Sequence, residues 1–218
     1  MKPLVLLRPE SGLSASAAAA RALGLKVIEC PLFVVVPVAW QAPPPEQFDA
    51  LLLTSASAVR HAGDGLAAYR ALPALAVGAA TAEAARAAGL MVERVGDGSV
   101  TDLLAAEPTE RRLLHLAGQH ITEPGRAMTV VAVYASIEIA DAVLPPLGNT
   151  VIAVHSPRAA NRLAALAHDR SGATVAAISI AAAAACESGW AAIETAAAPN
   201  DSSLLALAAR LCQGSDPE

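Results

Sequence analysis

The 218-residue sequence predicts an α/β protein of two similar parallel-sheet domains, flavodoxin-like or Rossmann-like, joined by a two-strand hinge. The first observation behind this is an internal repeat, which reorganises any fold argument that overlooks it. LLLTSASAVRHA at 51–62 is echoed by VIAVHSPRAANRLA at 151–164. A shift of 101 residues places Leu53 on Val154, Ser55 on Ser156 and Ala58 on Ala159. The register continues through ALAVGAATAEAARAAGL and TVAAISIAAAAACESGW, with a one-residue slip that brings Gly89 onto Gly189, and Asp102-Leu103-Leu104 falls on Ser203-Leu204-Leu205. The second observation is that continuous apolar runs alternate with Ala-rich stretches, the pattern of parallel strands covered by helices on both faces. The third is a shortage: each copy, roughly 49–106 and 150–207, supplies only three strands.

The elements then follow in chain order. LVLLRPESG opens with a strand that ends at Arg8, an Ala-rich helix lies near 14–23, and KVIECPLFVV adds further strand. QAPPPEQ at 41–47 marks a chain exit, because a proline cluster can join neither a helix interior nor a central strand. The first copy reads as strand LLLTS, a helix from about Ala56 that carries a half-buried Tyr69, strand ALAVG, helix 80–88, strand MVERV and helix 101–106. RLLHLAGQH and TVVAVYAS follow as strands, and Leu4–Arg8 matches Leu113–Ala117. The simplest closure gives the first copy the strands that follow it and the second copy the N-terminal strands. That predicts a continuous domain over 46–128, a discontinuous one from 1–35 plus 136–218, and linker strands at 32–41 and 129–138.

Composition narrows the function classes. Hydrophobic residues reach 55%, with Ala supplying much of that and aromatics only 3%, which favours helices packed closely on sheets. A net charge of −5 gives no electrostatic reason to expect nucleic acid or an anionic membrane as partner, so any polyanionic ligand must be held by local groups. Cys30, Cys186 and Cys212 are odd in number and widely spaced, which suggests neither a disulfide framework nor a zinc site, and the five scattered histidines leave metal catalysis unsupported. MKPLVLLRPE is too short in its apolar run for a signal peptide, and even TVAAISIAAAAAC meets Glu187 before it reaches membrane-spanning length. A cytoplasmic protein is expected, and a monomer, since no heptad or apolar patch stands out.

In parallel α/β sheets ligands bind beyond the carboxyl ends of the strands. The sequence turns polar at those loops: Arg8 to Gly12, Thr54 to Ser57, Gly78 to Thr81, Gly96 to Ser99, Gly118 to His120 and His155 to Arg158. Small residues and free helix-start N–H groups suit an anion cradled by backbone, and a cleft between two such edges suits a large, many-armed one. Plainer readings compete. Helix N-caps explain Ser55, Ser57, Thr81 and Ser156 equally well. GDGSVT is only a partial glycine fingerprint, and Arg8 and Arg158 have the alternative of being solvated loop charges. His155 beside Ser156 makes no triad, and there is no GxSxG. Tyr134, one of two tyrosines, closes the strand VVAV at the proposed hinge, either pointing its phenol into the expected cleft or packing as a core residue with a satisfied hydroxyl.

Taken in order, LVLLRP, PLFVVVP, FDALLLTSASAV, LAVGAATAEAARAAGL, GDGSVTDLL, LLHLAGQH, VAVY, VIAVHSPRAA and LLALAARL resemble the uroporphyrinogen-III synthase family over nearly the whole chain. The resemblance implies a two-domain, hinge-linked protein that acts on hydroxymethylbilane, a linear tetrapyrrole bearing eight carboxylates, with no metal or organic cofactor. The substrate loses its terminal hydroxyl, and the ring closes with inversion of the last pyrrole. Tyr134 matches the family's functional tyrosine, which would assist departure of that hydroxyl. Arg8, Ser55, Ser57, Thr81, Gly118 and Ser156 would meet the carboxylate arms. The second copy departs from the family, reading ISIAAAAA where a proline followed by threonine is common, so the counterpart of Thr81 falls to backbone around Ser179. The stretch GQHITEPGRAM is short for a helix, which bears on any lining at His120 and Thr122. Two other classes fit the same chain: a non-catalytic two-lobed α/β binder of a small anion, and a nucleotide-binding enzyme using GDGSVT.

Overall fold

The computed structural model describes residues 1–97, 99–121 and 125–214. In chain order the strands are β1 (Leu4–Leu6), β2 (Val27–Glu29), β3 (Phe33–Pro37), β4 (Ala50–Leu53), β5 (Pro73–Val77), β6 (Met91–Gly96), β7 (Leu113–Gly118), β8 (Thr129–Glu138), β9 (Thr150–Val154), β10 (Ala173–Ala177) and β11 (Ala192–Thr195). The helices are α1 (Glu10–Ala22), α2 (Ala56–His61), α3 (Ala79–Ala87), α4 (Val100–Ala105), α5 (Pro157–Leu166), α6 (Ile180–Ala184) and α7 (Asp201–Gln213).

They form two compact units, Met1–Val34 with Glu138–Glu218, and Val35–Ile137. The first unit holds a five-stranded sheet of order β11-β10-β9-β1-β2, and every pairing in it is parallel. Counted along this unit's own strands the order is 2-1-3-4-5, that of flavodoxin-like folds. The second unit reproduces it as β8-β7-β4-β5-β6, with β7 and β8 in the places of β1 and β2 although they come last in sequence. β3 is added at the edge beside β8. The amide of Val38 donates to Val133 O and that of Ile139 to Leu32 O, each at 3.0 Å, a spacing that runs in the antiparallel sense.

The central strands are apolar but for His115, Thr150 and Thr174, because both faces are covered. All residues of β4, β9 and β10 are buried. Successive side chains point to opposite faces, so Leu4 and Leu6 pack with Leu13, Ala17 and Ala20 of α1 and Leu204 and Ala208 of α7. Val5 and Leu7 pack on the other face with Ile152, Val154, Val175 and Leu163. The same division puts Leu51 and Leu53 against Ala58 and Ala85, and Leu52 against Leu103 and Leu104.

The helices start where their capping chemistry allows. Side-chain oxygens of Ser55, Ser99, Ser156, Ser179 and Asn200 each accept an N–H from the first turn of the helix they open. Gly89 and Gly189 both lie in the left-handed region, at φ 79° and 102°, which accounts for their alignment in the repeat. α1 begins at Glu10, earlier than the Ala-rich run suggests. Pro9 supplies an extended entry, its carbonyl accepts from Gly12 and Leu13, and Glu10 adds a negative charge to the first turn.

Tyr69 differs from the sequence expectation. α2 ends at His61, and a 3-10 segment over Gly63–Tyr69 follows, with Gly63 at φ 61°. Tyr69 is fully buried rather than half-buried. Its hydroxyl donates to Pro43 O at 2.8 Å, and its ring stacks on Trp40 at 6.3 Å between centroids, while Trp40 Nε1 donates to Ala62 O. The proline-rich exit is thereby tied to the core, which periodicity in the local sequence has no means of showing. Tyr69→Phe should leave the Pro43 carbonyl without its partner and cost about 1–2 kcal/mol, read as a lower urea midpoint at unchanged m-value.

Candidate functional site

Each sheet reverses its strand order once, between β1 and β9 in one unit and between β7 and β4 in the other, and loops leaving the carboxyl ends there splay apart. The polar residues singled out by sequence are distributed over these two edges.

In the unit Val35–Ile137 the edge is built from hydroxyls and aromatic rings. Tyr134 lies within β8, which runs on to Glu138, so it does not close its strand as the sequence suggested. It is half-buried, in register with Gly118 of β7, and its carbonyl accepts from Gln119 N at 2.9 Å. The phenol passes directly over Gly118: a Cβ there would stand 2.8 Å from Cε2 and Cζ and 3.0 Å from Oη. Gly118 is therefore required for the ring to lie where it does. The His61 ring, at the end of α2, is tilted against Tyr134 at 6.3 Å. No hydrogen bond to the Tyr134 hydroxyl is made by any protein group among the described residues.

Ser55 caps α2 by accepting from Ser57 N at 3.1 Å. Ser57 itself is buried at 4% exposure and Thr81 at 5%, so both hydroxyls are turned largely away from solvent. Thr81 is not a cap: Gly78 occupies that place before α3, and Thr81 sits inside the first turn. Sequence reasoning missed a second polar pair in this unit. Thr54 Oγ1 lies 3.0 Å from Nε2 of His115, a buried histidine in the middle of β7. Burial pushes the His115 imidazole down to about 4, and its Nδ1 has no protein partner.

The edge of the other unit carries charge. Arg8 Nη1 donates to Ser16 Oγ at 2.7 Å and to Asp201 Oδ1 at 3.0 Å. Ser16 Oγ donates to Asp201 Oδ2, and His155 Nε2 lies 2.8 Å from Oδ1. Burial raises the Asp201 carboxyl, but hydrogen bonds from His155 and Ser16 and the Arg8 charge outweigh it and hold the group below its ordinary value. Arg8 is thus no freely solvated loop charge, and His155 pairs with Asp201 rather than with its neighbour Ser156. Ser156 and Ser179 cap α5 and α6, accepting from Ala159 N and Ala182 N. Arg158 lies over the Phe33 ring at 4.9 Å.

The structure thus brings Gly118 and Tyr134 into contact, and joins Arg8 to partners that sequence reasoning left out. Asn200-Asp201 before LLALAARL reads as a cap and an acidic first turn, with nothing to announce the reach to Arg8. Gly98 of GDGSVT and Thr122 lie outside the described residues. Among the described residues no cluster of His, Cys, Asp and Glu is arranged to hold a metal ion, the three cysteines are free, and no helix is long and apolar enough to cross a membrane.

Comparison with known proteins adds a family. A family model described as uroporphyrinogen-III synthase HemD matches residues 14–206. The chain superposes on uroporphyrinogen-III synthetase from Helicobacter pylori 26695 with a TM-score of 0.67 at 17% identity, covering 97% of this chain and 100% of that one. A mutant uroporphyrinogen III synthase from the extremely thermophilic bacterium Thermus thermophilus gives 0.56 at 19% identity, covering 99% and 100%. At these identities the likeness is one of fold. No curated protein matches the chain in sequence.

The buried His115 makes a pH prediction. Its folded-state value lies below the unfolded one, so the unfolded chain takes up a proton first as pH falls. The stability it contributes is complete above about 6.5 and is lost between there and about 4. Lowering pH from 7.5 to 5 should cost wild type about 2 kcal/mol more in urea unfolding than it costs His115→Gln.

Proposed function

The chain belongs to the uroporphyrinogen-III synthase family, and on that premise we propose that it cyclises hydroxymethylbilane to uroporphyrinogen III, a hydro-lyase reaction of tetrapyrrole biosynthesis. The observation that carries the reading is Tyr134, a phenol at the carboxyl edge of a parallel sheet, cleared by the bare Cα of Gly118 and with its hydroxyl in no protein hydrogen bond among the described residues.

The reaction needs little from a protein beyond one proton and a fixed shape. Loss of the terminal hydroxyl breaks a C–O bond as the pyrrole nitrogen pushes its electron pair toward the departing carbon. A proton delivered to the leaving oxygen turns it into water and leaves an azafulvenium-like electrophile. Tyr134 is the donor in this reading, since a hydroxyl that no protein group among the described residues occupies is available to the substrate. The electrophile then closes on the last pyrrole through a spiro intermediate, and the enzyme must hold the chain bent while excluding water, because unguided closure gives the isomer without inversion.

The eight carboxylates are met in this reading by oriented dipoles rather than by an excess of positive charge. Ser55, Ser156 and Ser179 present half-buried caps at their helix starts, Gly118 and the buried Ser57 and Thr81 contribute backbone, and Arg8 adds one fixed cation. Preorganised donors cost no reorganisation when the ligand arrives, which makes an acidic chain compatible with an anionic substrate.

Incubation with freshly generated hydroxymethylbilane, followed by oxidation and chromatographic separation, should give a type III excess over the protein-free control. Only type I product from folded protein would leave the non-catalytic anion binder as the better reading. In the active enzyme, Tyr134→Phe should lower kcat by about 10²-fold without abolishing turnover, because the bent binding mode remains. Unchanged kcat in that variant would remove the proton-donor assignment.

A further inference from the structure

The Arg8 guanidinium is treated differently on its two sides. Nη1 is fully engaged by Ser16 Oγ and Asp201 Oδ1. Ser16 is completely buried and bridges to Asp201 Oδ2, while His155, whose side chain is 10% exposed, approaches Oδ1 at 2.8 Å. Nε and Nη2 make no protein hydrogen bond among the described residues.

That unused side of the guanidinium is seated on the first turn of α1. A Cβ at residue 12 would stand 2.2 Å from Nη2, 2.4 Å from Cζ and 2.6 Å from Nε, so the seat exists only because residue 12 is glycine. The Arg8 side chain keeps 29% of its surface open to solvent, at the end of β1 and next to the strand where the sheet order reverses. A half-exposed ion pair adds little stability by itself. Holding one nitrogen of a guanidinium while leaving the other two N–H-bearing nitrogens free produces instead a fixed fork, the geometry that grips a carboxylate in two parallel bonds.

We propose that Asp201 is a positioning residue: with Ser16 and the bare Cα of Gly12 it fixes Arg8 so that Nε and Nη2 receive one carboxylate of the substrate. This rests on the synthase reading above. Asp201 also balances the Arg8 charge when no ligand is bound, and its place at the first position of α7 favours its ionised form. The pairing is one of orientation, so its loss should appear in binding and not in the chemical step.

In the coupled bilane assay Asp201→Asn should raise KM about tenfold with kcat held within about twofold, and Ser16→Ala should move KM the same way by about threefold. The double variant Arg8→Ala with Asp201→Asn should have the KM of Arg8→Ala alone, because no receptor is left to be positioned. NMR of the arginine guanidinium groups gives a readout independent of turnover. The Arg8 Nη1 and Nη2 signals, assigned by their loss in Arg8→Lys, should be separate in wild type, where Ser16 and Asp201 hold Nη1 against rotation about Nε–Cζ, and averaged in Asp201→Asn. KM effects that multiply in the double variant, a fall in kcat with KM unmoved, or an Arg8 signal indifferent to Asp201→Asn would each overturn the proposal. A wild-type chain that forms only the type I isomer removes the synthase reading, and the Arg8 signal then decides the positioning on its own.

Discussion

A parallel strand buried on both faces has no free edge to offer water and no polar side chain to satisfy, so it needs a neighbouring strand on each side and helices above and below. β4, β9 and β10, buried along their whole length and apolar but for Thr150 and Thr174, impose that demand on this protein. A repeat carrying three strands cannot meet it, because its first strand would be left as an exposed edge. β1 and β2 close the sheet for one copy and β7 and β8 for the other, giving the same spatial order from two different chain orders. The places of Arg8, Ser55, Gly118 and Ser156 follow, since each lies where the chain leaves one of the four strands that flank a point of reversal.

Much of this arrangement is legible in the sequence because it is written in local patterns. The alignment of Ser55 with Ser156 reflects a shared job as helix caps, and that of Gly89 with Gly189 a shared left-handed turn. The resemblance of Leu4–Arg8 to Leu113–Ala117 reflects the equivalent central places of β1 and β7. What depends on distant contacts is not legible. Tyr69 looks like an ordinary residue on a helical run, and only the return of the chain at Pro43 and Trp40 makes it fully buried. The start of α1 is set by Pro9 and Glu10, whose influence a search for alanine periodicity passes over.

The candidate site divides along the same line. Tyr134 can be found from sequence because tyrosines are scarce here and this one sits on a strand. The reason for Gly118 can not: sequence reasoning values its N–H toward an anion, whereas the structure shows that its missing side chain is what admits the Tyr134 ring. Thr81 has the residue type of a cap and the position of a first-turn core residue, because Gly78 has already taken the entry to α3. Arg8 and Asp201 are 193 residues apart, and His115 in LLHLAG is indistinguishable by pattern from any side chain of a buried strand until Thr54 is placed beside it.

The candidate groups at the two edges are compensated in different ways. In the unit Val35–Ile137 they are hydroxyls and backbone groups, which cost little to leave without a ligand because dipoles are far less penalised by partial burial than charges. A cation in a similar setting would suffer a large desolvation penalty unless paired, and at Arg8 the pairing is internal. Asp201 supplies the compensating charge at the start of α7, where the helix N-terminus already favours it, and Ser16 and His155 occupy its remaining lone pairs. Compensation of this kind would normally consume the arginine. Here it consumes one nitrogen, and the other two lie over the bare Cα of Gly12 with no protein hydrogen bond among the described residues, so a charge balanced by its partner keeps two donors unspent.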